Sequence, residues 1–230
     1  MKLLLISDIH ANKIALDRTL TVPHDRIICL GDLVDYGPMP VECIDAIKDL
    51  KIPTIRGNHD NAVAYRIDCG CGYEYKNLSI SSREYTWQHL DQEHIHFLKN
   101  LPLNLKENID GHRLYFTHGS PVSMYNYIKP DTPVNEIEKM IEGIDSDFLF
   151  IGHSHIPFVR KVKNTTIINP GSVGQPRDGD IRASCAVFDT VSCETEIIRL
   201  QYDIKGIYRL IRDKNMPDQD QLIDILKRGY

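Results

Sequence analysis

Short apolar, β-branched runs end, one after another, in clusters of polar residues, and this pattern constrains the chain more than any other feature. Residues 2–7 run into Asp8-Ile9-His10, 26–30 into Gly31-Asp32, and 53–56 into Gly57-Asn58-His59-Asp60. Residues 113–116 run into Thr117-His118-Gly119, 147–151 into Gly152-His153-Ser154-His155, and 165–168 into Asn169-Pro170-Gly171-Ser172. Continuous apolar runs of this length, bounded by turn residues, predict strands buried on both faces.

Helical periodicity lies between and after them. Val41, Ile44 and Ile47 recur at three-residue spacing, and Val134, Ile137, Ile141 and Ile144 fit one helix face. So do Ile204, Ile207, Tyr208 and Ile211, and later Leu222, Ile225 and Leu226. Residues 79–99 are helix-prone with a break near Asp91, and Asp110-Gly111 between two strand-like runs predicts a hairpin. Strands alternating with helices and then a hairpin-rich half imply an α/β fold, stacked sheets with helices outside. No repeat or linker divides the chain, so residues 1–230 are expected to form a single domain. The stretch 67–77, with its glycines and cysteines, reads as the most flexible loop.

Composition narrows the function. The formal charge of −5 argues against a large nucleic-acid footprint, which needs a basic stripe. No apolar run reaches the roughly 20 residues of a membrane span. The apolar start meets Asp8 and His10 too soon for a secretory signal and reads as a buried strand. Six cysteines form no disulfide or zinc framework; Cys69 and Cys71 read as free thiols in a loop. The expectation is a cytoplasmic, reduced protein; a homo-oligomer stays open.

The polar clusters sit where strands with parallel neighbours present their carboxyl ends, the usual place for a site. Asp8 and His10 are two apart; at a strand end that spacing points both side chains to one side, able to grip one metal. His153 and His155 repeat it. Asp32 follows a glycine, so its carboxylate can approach closely and bridge two ions. Asn58 offers an amide oxygen and His118 another imidazole. This mixture suits Mn²⁺, Fe, Zn²⁺ or Ni²⁺, with manganese first. Two such ions offset the charge of a phosphodiester and lower the pKa of a bound water. A single histidine is more often a surface or satisfied core residue; the ensemble of clusters outweighs that. His94 and His96 sit in a helical stretch where their spacing diverges, and His24, His89 and His112 read as surface residues.

The blocks Asp8-Ile9-His10, Gly31-Asp32, Gly57-Asn58-His59-Asp60, Thr117-His118-Gly119 and Gly152-His153-Ser154-His155 resemble, in order, those of the calcineurin-like metallophosphoesterases. The stretches 31–38 and 169–177 resemble the compact branch of small phosphodiesterases and diadenosine-tetraphosphatase-like proteins. The resemblance implies a two-sheet α/β sandwich with flanking helices. It implies one metal held by Asp8, His10, Asp32 and His155, and a second by Asp32, Asn58, His118 and His153. It implies attack by a metal-bridging hydroxide, with His59 donating a proton to the leaving oxygen or stabilising phosphoryl charge. Asp35 is the first candidate to orient His59 and Asp60 the second. Related protein phosphatases and symmetrical dinucleoside-tetraphosphate hydrolases carry a phosphate-binding Arg where this chain has Tyr36. That weakens a protein-phosphatase reading and makes Arg177 a candidate for substrate binding, against the alternative of an exposed loop charge. The implied substrate is a small-molecule phosphoester. The competing readings are a non-catalytic scaffold on the same fold, which the full ligand set disfavours, a phosphomonoesterase, and a nuclease, which the acidic balance disfavours.

Overall fold

Strand β1 (Lys2–Ile6) pairs parallel with β2 (Arg26–Cys29), Leu3 opposite Arg26 and Ile6 opposite Cys29. Its other edge pairs antiparallel with β8 (Ala183–Asp189), which carries β9 (Thr195–Leu200). The second sheet has the order β3-β4-β5-β7-β6, from β3 (Asn104–Ile109), β4 (His112–Thr117), β5 (Phe148–Phe150), β7 (Thr165–Asn169) and β6 (Phe158–Val162). In this computed structural model residues 1–230 are described, save the side chain of Glu74.

Period-2 alternation sorts the side chains into layers. Leu3 and Leu5 of β1, Ile28 of β2, and Ala186 and Phe188 of β8 face inward. They meet Leu114 and Phe116 of β4, Phe148 and Phe150 of β5, and Ile168 of β7. Phe116 and Phe150 stack at 4.7 Å between ring centroids. Each such buried side chain contributes about 1.5–3 kcal/mol. Leu4 and Ile6 face the other way and pack on α1 (Lys13–Thr19), α2 (Pro40–Asp49), α3 (Asn58–Tyr65) and α5 (Gln92–Asn100). Tyr115, Leu149 and Ile167 pack on α6 (Val134–Met140). The amphipathic α7 (Ile204–Asp213) and α8 (Gln219–Arg228) pack on α4 (Lys76–His89). The fold is the two-sheet sandwich with flanking helices that the sequence implied.

Several expectations need correction. Residues 53–56 form no strand, only an isolated bridge between Cys29 and Thr54, because Gly57 turns the chain into α3 at once. The α6 helix ends at Met140, short of Ile144. His24 and His112 are half-buried: His24 Nδ1 bonds the Val22 carbonyl at 2.6 Å, and His112 Nε2 lies 3.2 Å from Cys193 Sγ. The Asp110-Gly111 hairpin and the helix break at Asp91, whose carboxylate caps α5 through the His94 N–H, are present. Among the described residues no helix is long and apolar enough to cross a membrane.

Candidate metal centre

Asp8 follows β1, Asp32 follows β2, His118 follows β4, and His153 and His155 follow β5, so the carboxyl ends of both sheets converge. Asn58 and His59 come instead from the first turn of α3. Asp60, also in that turn, accepts the N–H groups of Gly57 (3.0 Å), Asp32 (2.8 Å) and Leu33 (2.8 Å). It locks α3 to the loop after β2, while the His59 imidazole bonds Asp35 instead. Gly57 is required there: a Cβ would collide with Asp32 Oδ1.

Asp8, His10, Asp32, His153 and His155 all adopt positive φ, between +46° and +64°. Non-glycine residues in this conformation cost about 1–3 kcal/mol each when held there by their surroundings. The expectation of an extended i, i+2 pair therefore fails in its reason. Asp8 and His10 do approach, Asp8 Oδ1 lying 4.0 Å from His10 Nε2, but through a left-handed loop. His153 and His155 diverge. Asp8, His10 and His155 form one cluster of ligand-type atoms, and Asp32, His118 and His153 form another. Asp32 Oδ2 lies between them, 3.1 Å from His118 Nε2 and 3.8 Å from His10 Nε2.

Hydrogen bonds around the clusters fix which atoms face inward. His10 Nδ1 donates to the Val34 carbonyl (2.9 Å), His118 Nδ1 to that of Leu30 (2.7 Å), and His155 Nδ1 to that of Gln175 (2.5 Å). In a neutral ring each Nε2 is then the lone-pair atom, the arrangement that outer partners impose on metal-binding imidazoles. At His118 burial works against charge, but Asp32 outweighs it and raises the pKa to about 9, so a bound cation would displace its Nε2 proton. Asn58 Nδ2 donates to the Cys69 carbonyl at 2.8 Å, which turns Oδ1 toward His118 Nε2, 2.9 Å away. Asp32 Oδ1 accepts the His59 N–H (2.8 Å) and Asp8 Oδ2 the His153 N–H (3.1 Å). Asp8 Oδ1, Asp32 Oδ2 and His153 Nε2 are left with no hydrogen-bond partner.

The result is a group of electron-pair donors facing one another, with His10 Nε2 and His155 Nε2 only 3.2 Å apart. None of these residues is more than 3 % exposed, so water does not relieve the crowding. Buried acceptors without donors are costly unless a cation joins them. The donor set fits divalent metal ions. Burial opposes the charge of Asp8 and Asp32, yet the imidazoles beside them hold both carboxyls well below the usual range. Burial pushes the imidazoles of His10, His153 and His155 below theirs.

His59 stands beside this group. Its Nδ1 lies 2.8 Å from Asp35 Oδ2, and its ring is 5.0 Å from that of His10. Burial works against its charge, but Asp32 and Asp35 outweigh burial and raise its pKa to about 9. Behind Asp35 sits Arg83 of α4, buried, with Nη1 3.7 Å from Asp35 Oδ2 and 3.2 Å from Ser79 Oγ. The sequence offered no sign of this residue: an arginine in a helix reads as surface. Arg177 is not an exposed loop charge. Its guanidinium lies 4.0 Å over the Tyr75 ring and 5.9 Å from Tyr36, with Nη2 donating to Gln175 Oε1 and Nε without a partner. Tyr127 stacks on His153 at 3.9 Å, a contact the sequence also left unread.

Comparison with known proteins agrees with this architecture. The chain is 36% identical over 234 residues to an uncharacterized protein of Methanocaldococcus jannaschii, with 93% of each chain covered. It is 26% identical over 184 residues to Phosphodiesterase YfcE of Escherichia coli K12, covering 78% of this chain and 83% of that one. The crystal structure of a metallophosphoesterase from Sphaerobacter thermophilus superposes with a TM-score of 0.83 at 32% identity, covering 100% of this chain and 99% of that one. The profile of the Calcineurin-like phosphoesterase superfamily domain matches residues 1–192, and the chain belongs to that family.

Proposed function

We propose that the chain is a dinuclear, metal-dependent phosphodiesterase acting on small-molecule phosphodiesters. The observation that carries this reading is the pair of facing donor clusters, with Asp8 Oδ1, Asp32 Oδ2 and His153 Nε2 lacking a hydrogen-bond partner and the His59–Asp35 pair at their edge. One cation would be held by Asp8, His10, Asp32 and His155, the other by Asp32, Asn58, His118 and His153. The mixture of carboxylate, amide and imidazole suits Mn²⁺ first, with Fe, Zn²⁺ or Ni²⁺ as alternatives. When bound, two such ions lower the pKa of water and clamp the attacking and leaving oxygens of an in-line displacement.

The chain's own residues supply the rest. With Nδ1 tied to Asp35, the atom His59 has left to donate is Nε2. Asp35, bonded to Nδ1, favours the charged imidazole, which delivers its Nε2 proton to the departing alkoxide. Arg177, held over the Tyr75 ring with Nε unpaired, offers a guanidinium donor to a non-bridging phosphate oxygen, a role Tyr36 cannot fill. The name of the Escherichia coli relative, a phosphodiesterase, supports diester over monoester.

The test is a turnover screen of purified protein against bis-aryl phosphate, aryl monophosphate, cyclic nucleotides, dinucleoside polyphosphates and single-stranded DNA, each with Mn²⁺, Fe²⁺, Zn²⁺ or Ni²⁺. Diester cleavage that needs metal is expected. Cleavage of the monoester or the DNA alone would replace the substrate class, and no cleavage with any metal would return the scaffold reading.

A further inference from the structure

The segment between α3 and α4 carries a motif that the chemistry above leaves unused, Cys69-Gly70-Cys71. Gly70 takes φ +65°, a left-handed turn that brings the flanking cysteines together. The two thiols are close enough to perturb each other, Cys71 holding the Cys69 thiol down and Cys69 holding the Cys71 thiol up. Cys69 is buried with Sγ 3.0 Å from Ser79 Oγ, while Cys71 is half-buried and reaches solvent. The other cysteines do not share this arrangement: Cys29, Cys43 and Cys185 lie in the core, and Cys193 sits against His112. The backbone of the same motif serves the metal centre, since the Cys69 carbonyl is the acceptor that orients the Asn58 amide. Tyr125 closes over Gly70 and its hydroxyl accepts from Asn61 of α3, so the turn is keyed to the helix that carries Asn58 and His59.

We propose that Cys69 and Cys71 are a site of reversible oxidation, forming a disulfide that moves the Cys69 carbonyl off Asn58. A low-molecular-weight disulfide is the oxidant. The half-buried Cys71 thiol attacks one sulfur of that molecule, its proton passing to the leaving sulfur; the old S–S bond breaks and one small thiol leaves. The Cys69 sulfur then attacks Cys71 in the mixed disulfide, and the second small thiolate leaves. Two protein thiols are oxidised, the small disulfide is reduced to two thiols, and the two protons end on them. A disulfide between residues two apart closes a small, strained ring, and strained or exposed disulfides are the readily reduced, regulatory kind. Closing that ring draws the Cys69 sulfur from Ser79 toward Cys71 and puts the strain on the peptide unit whose carbonyl holds Asn58. Loss of such an outer partner of a metal ligand typically costs 10–100-fold in affinity or activity. The effect on turnover rests on the proposed function; disulfide formation does not.

The experiment treats the full-length, metal-loaded protein with glutathione disulfide. The peptide containing both cysteines is followed by mass spectrometry after alkylation, and turnover of bis-aryl phosphate is followed in parallel. The expected result is a peptide lighter by two hydrogens that resists alkylation, with turnover about tenfold lower or less. Dithiothreitol should restore both. Cys71→Ser and Cys71→Ala should keep turnover and lose the response. No cross-linked peptide, or an equal response in the Cys71 variants, overturns the proposal. A cross-link with unchanged turnover overturns its link to Asn58. If untreated protein turns over nothing, the proposed function fails while the peptide mass still decides whether the disulfide forms.

Discussion

His59 and Asp35 are joined by one buried hydrogen bond, 2.8 Å from Nδ1 to Oδ2, and Asp35 reaches it from a backbone held at φ +65°. Burial pushes the Asp35 carboxyl up, while His59 and Arg83 pull it back toward the ionised form. As a carboxylate, Asp35 both aims the imidazole and favours its charge. Asp35→Asn keeps the shape and an acceptor for Nδ1 but removes the charge. Turnover of bis-aryl phosphate should fall by about 10²-fold or more, the scale of a lost general acid. Metal content, measured by inductively coupled plasma mass spectrometry, should not change. An unaltered kcat would take Asp35 out of the mechanism.

Arg83 extends this pair by one residue. It touches neither metal cluster, so its effect should pass through Asp35 and His59. A group that protonates the leaving oxygen matters most when that oxygen is a poor leaving group. Arg83→Met should therefore slow a methyl aryl diester, measured as alcohol release, more than it slows p-nitrophenol release, with Arg83→Lys partly restoring the rate. An equal loss on good and poor leaving groups would mark Arg83 as a packing residue.

The sequence made β1, β2, β4, β5 and β7 legible because continuous apolar runs have few other uses, but it hid β8, buried along most of its length, whose small Ala183, Ser184, Cys185 and Ala186 do not read as such a run. It hid β9, whose mixed residues are only half-buried along most of the strand, and it made residues 53–56 look like a strand when Gly57 redirects them. The polar clusters were visible as residue types at strand ends. Their geometry was not: nothing in Asp8, His10, Asp32, His153 or His155 announces a left-handed backbone, which glycine normally marks and which tertiary contacts impose here. Arg83 and the Cys69 carbonyl were hidden for a plainer reason. Their roles depend on long-range contacts that no local spacing encodes.

Asp32 Oδ2 lies close to an imidazole of each cluster, 3.1 Å from His118 and 3.8 Å from His10, so metal binding should depend strongly on it. A ligand present at 100 times its Kd stabilises by about 2.7 kcal/mol, which for a chain of this size raises Tm by roughly 5–10 °C. Titrating Mn²⁺ into chelator-treated protein should produce a rise of that order in scanning fluorimetry. Asp32→Ala should abolish nearly all of it, and His10→Ala only part. A full shift in Asp32→Ala would separate the stabilisation from these clusters.

The last prediction concerns the sheet away from the centre. Arg113 grips Asp147 through Nη2 at 2.7 Å and Nε at 3.2 Å, and its backbone N–H adds a third bond at 2.9 Å. These contacts pin the starts of β4 and β5 at the register that pairs Leu114 with Phe148. The side chain of Arg113, then its N–H, lowers the Asp147 pKa to about 2, against 3.8 for a free carboxyl. A folded-state pKa below the unfolded one stabilises above the unfolded value and loses that contribution as pH falls. The contribution of Asp147 should therefore be complete at pH 7 and fade between pH 4 and pH 2. Asp147→Asn should be less stable than the parent at pH 7 in urea unfolding, with the difference shrinking steadily across that acid window. A difference that stays constant from pH 7 to pH 3 would mean the pair acts through shape alone.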